Sequence, residues 1–204
     1  MLKSNKQAFT LVEILIAITV LAVTLTAMAN LVIVTMRANN SNENTLTAYY
    51  LAEQGLEAMR NVRDTNWLQN YAWNTDFDCV VGQEDFYLIV DENTEYRIGI
   101  FNFGDGLFDR TSLLSVDHDP WKVETISESS LESGAKLYKI SESEGYTRYS
   151  YDNSGDESLF SRYLVIHYNS CDDEVVEITA VVSWNERGND REVTLKTYLT
   201  DWQS

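Results

Sequence analysis

Between Ile14 and Met36 the chain runs for 23 residues without a charged side chain. At about 1.5 Å of rise per residue, a helix of that length spans roughly 34 Å, enough for the hydrocarbon core of a bilayer. Lys3 and Lys6 precede it, so the short N-terminus is expected on the cytoplasmic side and the bulk of the chain outside, as a single-pass membrane protein. Thr19, Thr24, Thr26 and Asn30 make the segment less apolar than a simple anchor. They suit a helix that packs on other helices. One carboxylate, Glu13, stands at the mouth of this segment, where a charge is costly and calls for a reason.

Two ordinary readings leave Glu13 without a reason. The first is a secretory signal with a basic start, an apolar centre and an Ala27-Met28-Ala29 cleavage site. Cutting after Ala29 would release an acidic binding domain. The second is a plain signal anchor, which would leave the same domain tethered to the membrane. The run Ala8-Phe9-Thr10-Leu11-Val12-Glu13 and the apolar helix behind it resemble the N-terminal signal of type IV pilins and pseudopilins. The resemblance implies that prepilin peptidase cuts between Ala8 and Phe9 and methylates the new amine of Phe9, leaving Glu13 as fifth residue. It also implies assembly with other pilin or pseudopilin subunits on an inner-membrane platform, giving a surface filament, most simply as a minor subunit. The family usually has glycine before the cut. Ala8 replaces it here, so slower processing is expected.

The same resemblance gives Glu13 its role. The new α-amine of Phe9 is largely charged at neutral pH, and in an apolar bundle the two opposite charges of adjacent subunits can neutralise each other. Such a pair adds little net stability, but leaving one partner alone costs about 3–5 kcal/mol. It would therefore act as a register device.

The charge is strongly segregated. The net charge is −17, with 32 acidic and 15 basic side chains. Residues 1–60 hold four of each, so residues 61–204 carry 28 acids against 11 bases. That balance repels phosphate backbones, and no direct nucleic-acid contact is expected. Cys79 and Cys171 are the two cysteines. In an exported domain they suit one disulfide, which would stabilise by roughly 4–5 kcal/mol in the chain-entropy account.

The polar run Asn39–Asn44 predicts a break or soft place in a long helix. Leu46, Tyr49, Tyr50, Leu56, Met59 and Val62 recur at helical spacing and predict an amphipathic helix over residues 46–64, with Glu57 and Arg60 paired on its other side. Beyond residue 76 the period changes to two. Strands are expected at 86–90, 95–103, 121–126, 136–140, 145–151 and 160–168, followed by a hairpin of 175–184 and 191–202 about the turn 185–190. The expected fold class is α+β: a long N-terminal helix, half transmembrane and half amphipathic, packed on a C-terminal antiparallel sheet, as in pilins. The expected divisions are a leader at 1–8, an assembly half-helix at 9–38, an amphipathic half at 39–66 and an acidic β-rich head at 67–204.

No constellation for catalysis is present, and the chain is not expected to be an enzyme. His118 lies in a polar turn before Pro120, and His167 alternates with Val165 in a strand. Neither belongs to a zinc-site pattern. The loop Asp152 to Glu157, with oxygens on Asp152, Ser154 and Asp156, is a calcium candidate, although a hairpin turn explains it equally well. Phe103-Gly104-Asp105-Gly106 reads as a loop. No other cofactor is expected.

Overall fold

The computed structural model describes residues 10–68, 71–77, 79, 85–92, 121–141, 147–170 and 174–201. The predicted strand 95–103 lies outside them. The fold is α+β. Among these residues a long helix, α1, runs from Leu11 to Leu68, and seven strands form one antiparallel sheet. They are β1 (Asp85–Glu92), β2 (Trp121–Ile126), β3 (Lys136–Ser141), β4 (Thr147–Ser150), β5 (Asp156–His167), β6 (Val175–Glu186) and β7 (Asn189–Thr200). A one-turn helix, α2, occupies Leu131–Gly134.

No break occurs at Asn39–Asn44; the helix passes through. Asparagine costs a helix only about 0.7 kcal/mol relative to alanine, and extending a formed helix needs no new nucleus. With neither glycine nor proline in the run, the penalty is insufficient to end it. By internal contacts the chain nonetheless divides into two units, Met1–Asn44 and Thr45–Ser204.

In the second unit α1 lies on the inner face of the sheet, but its buried stripe differs from the expected one. Leu56, Met59 and Val62 are buried as predicted. Leu46, Tyr49 and Tyr50 are exposed at 55%, 48% and 63%, and the stripe instead continues through Ala48, Leu51, Ala52 and Gly55. Small residues let the helix backbone come close to a sheet, so large side chains alone trace the wrong line. At Gly55 an added Cβ would lie 3.2 Å from Leu164 Cδ2 and 3.5 Å from Arg162 Cδ.

Alternation along the strands supplies the other half of the core. Phe86, Leu88 and Val90 of β1, Leu137 of β3, and Phe160, Leu164 and Ile166 of β5 are buried. So are Val176, Ile178, Ala180, Val182 and Trp184 of β6, and Val193 and Leu199 of β7. The β6–β7 hairpin turns through Arg187 and Gly188, with φ of 57° and 83°. Two successive positive φ values give the tight turn that matches strand twist, so the hairpin ladder extends to Glu186 and Asn189 and the loop is shorter than predicted. The strand expected at 160–168 likewise begins earlier, at Asp156, and its last core residue, Tyr168, lies just past its end.

The sheet forks at β5. One edge of β5 pairs with β6 from Phe160 to His167. The other edge pairs with β1 over Leu164–His167 and with β3 over Asp156–Ser161. Two arms, β1–β2 and β3–β4, therefore leave β5 side by side.

Candidate functional site

Ala8 and Phe9, the expected processing residues, lie outside the described residues. Glu13 stands in the first turn of α1 and is exposed. Its backbone N–H donates to Thr10 O at 3.1 Å and to Thr10 Oγ1 at 3.3 Å. Thr10 thus caps the helix, and Glu13 holds the third helical position, where an acid complements the orphan amides of the first turn. This is a local reason for Glu13 beside the proposed charge pair, and the Thr-x-x-Glu spacing of residues 10–13 was its sequence signal.

Behind Glu13 the large apolar side chains of α1 are uncovered. From Leu11 to Met36 they expose between 47% and 74% of their surface. This segment is long and apolar enough to cross a membrane. Its threonines do not need neighbours. The hydroxyls of Thr19, Thr24, Thr26 and Thr35 donate to the carbonyls of Ile16, Leu21, Ala22 and Leu31 at 2.8–2.9 Å. A hydroxyl returned to its own helix carries little penalty in hydrocarbon. Asn30 is the exception in this run, since among the described residues its side-chain amide has no partner.

Cys79 packs against the core, and Cys171 lies outside the described residues. Asp152 and Ser154 come together, but as a turn. Asp152 accepts from the Ser154 N–H at 2.9 Å and from its hydroxyl at 2.8 Å, and these bonds hold its pKa below the ordinary value. Asp156 begins β5 opposite Lys139. Among the described residues no group of three or more His, Cys, Asp or Glu side chains could hold a metal ion. His118 and the loop Phe103–Gly106 lie outside them. His167 is at the sheet surface, its Nδ1 2.6 Å from Asp85 Oδ1. That bond raises its pKa.

One buried cation escaped the sequence reading. Arg162 sits on β5 at the fork and is 3% exposed. Its guanidinium donates to Leu51 O at 3.2 Å and Gln54 Oε1 at 3.0 Å on α1, to Val90 O at 3.1 Å on β1, and to the Tyr151 hydroxyl at 3.0 Å. Val90 is where β1 has parted from β5, so the side chain replaces a ladder bond that the fork removes. Asp91 fastens the other arm, accepting from the Ser150 hydroxyl at 2.5 Å and the Tyr151 N–H at 3.0 Å. Desolvation pushes the Tyr151 phenol up, against the pull of Arg162. The signal was a charge at core parity, between Phe160 and Leu164.

Residues 3–29 match a family model described as the prokaryotic N-terminal methylation motif. That match covers the basic start, the Ala8–Phe9 junction, Glu13 and most of the apolar run. No curated protein and no solved structure matches the chain.

Proposed function

We propose that this chain, which carries the prepilin motif of type IV pilins and pseudopilins, is a minor pilin or pseudopilin. Prepilin peptidase cuts it between Ala8 and Phe9 and methylates Phe9. It then leaves the membrane by entering a type IV pilus or a secretion-type pseudopilus through α1, on an inner-membrane assembly platform. The observation that carries this reading is the continuity of the motif with a helix of two characters. Residues 11–36 offer an uncovered apolar surface, and residues 48–66 are built into a sheet-bearing head. An ordinary signal peptide cut after Ala29 would divide that helix.

Within this reading Glu13 pairs with the Phe9 amine of a neighbouring subunit, and Asn30 finds a partner on an adjacent helix. The head lies outside the cytoplasm, where Cys79 and Cys171 form a bridge; in support, Cys79 is not a free thiol, and the chain has one other cysteine. The role is structural, with no catalysis, no cofactor and no direct nucleic-acid contact. The reading is tested by shearing filaments from cells that express the chain with a C-terminal epitope. The tag is expected in the filament fraction, and to vanish from it when prepilin peptidase is deleted. A tag that stays in the membrane fraction of peptidase-positive cells, or appears free in the medium, contradicts it.

A further inference from the structure

Where the two arms of the sheet part, their outer faces enclose a cleft of about 520 Å³. Register explains its lining. Ile89 lies opposite Glu124 and Asp91 opposite Lys122 on one arm, while Tyr138 lies opposite Ser150 on the other, with Arg148 two residues before it. The turn at Asp152 and Asn153 and the end of α2 complete the walls, with Ile89 and Ile126 as an apolar strip. The volume falls within the roughly 300–1,000 Å³ of small-ligand sites.

The charge here departs from the rest of the head. Three acids, Asp91, Glu124 and Asp152, meet three bases, Lys122, Lys136 and Arg148, in a region of 28 acids and 11 bases. Two of the acids are already engaged, Asp91 by Ser150 and Tyr151 and Asp152 by Ser154. Lys136 is paired with Glu157 at 3.1 Å. Among the described residues Lys122, Glu124, Tyr138 and Asn153 have no polar partner. The cleft therefore presents one uncommitted cation, one uncommitted carboxylate, a phenol and an amide around an apolar strip.

We infer that this cleft binds an acidic saccharide, with the ligand carboxylate on Lys122 and its hydroxyls shared among Tyr138, Asn153 and Glu124. A sugar ring has both an apolar C–H face and hydroxyls that donate and accept, and this mixed lining meets both. A purely acidic peptide would meet Glu124 and Asp152 with repulsion and leave the strip uncovered. The inference does not rest on how the N-terminus is processed.

The test is calorimetric titration of the full chain in a zwitterionic detergent with methyl galacturonoside (a sugar ring carrying one carboxylate), its methyl ester and a tetraglutamate peptide. The galacturonoside is expected to bind, the other two at least about tenfold more weakly, the size of one lost charge-assisted hydrogen bond. Lys122→Glu should lose binding by at least about tenfold and Tyr138→Phe by a few-fold. Lys122 is exposed, so an unchanged thermal transition is expected for its variant. Absence of galacturonoside binding by the natural sequence, equal binding of the ester or the peptide, or full binding by Lys122→Glu would each overturn the inference.

Discussion

Glu13, Arg162 and His167 bear on assembly, stability and pH response respectively. Glu13 has two reasons to be where it is, and the amide isostere separates them. Glutamine at the third helical position still serves a cap, but it cannot neutralise an ammonium. Glu13→Gln and Glu13→Ala are both expected to be processed normally and to be missing from sheared filaments. If Glu13→Gln enters filaments like the natural sequence, capping alone explains the residue. Arg162 is buried and gives four hydrogen bonds. Arg162→Leu removes the charge but strands the buried Val90 O, while the Tyr151 hydroxyl keeps its bond to the residue 162 carbonyl, and should lower stability by about 1–3 kcal/mol in denaturant titration. His167 sets a pH dependence. Its folded pKa is raised by Asp85, so the pair's stabilisation is present below the free imidazole value and is lost as pH rises through the raised one. The thermal transition should fall slightly across that window, and Asp85→Asn should flatten the dependence. A steeper slope in the Asn variant would show that another group is responsible.

At the scale of elements, legibility followed burial. Strands with one buried face announce themselves by alternation, and β6 and β7 were plain for that reason: Val176, Ile178, Ala180, Val182 and Trp184 are all buried. The buried stripe of α1 was half legible, because Ala48, Ala52 and Gly55 carry too little hydrophobic weight to mark a contact line. The fork was not legible. Which strand pairs with which edge of β5 is decided by residues far apart in sequence, such as Asp85 with His167 and Lys136 with Ser161. The site was legible where it is local, at residues 3–29. Gly55 tests the helix–sheet contact. Gly55→Ala should change stability by less than about 1 kcal/mol, since gained helix propensity offsets the close approach to Leu164. Gly55→Leu should cost more than about 2 kcal/mol by overpacking, read as a lowered melting temperature; equal effects would show that the helix does not lie close to β5.

At the scale of the whole chain, the apolar run and the acidic remainder fit two environments. The first 36 residues hold one acid and two bases, while residues 61–204 carry the full net charge of −17. A segment that suits hydrocarbon or other helices and a domain that suits water fit the proposed subunit, which would start in a membrane and end in a filament. In the proposed function the cut at Ala8–Phe9 makes this transfer available. Intact mass and N-terminal peptide spectra of the chain from cells that contain prepilin peptidase report that cut. A chain beginning at Phe9 and heavier by one methyl group is expected. A chain beginning at Asn30, or an uncut chain beginning at Met1, would contradict it.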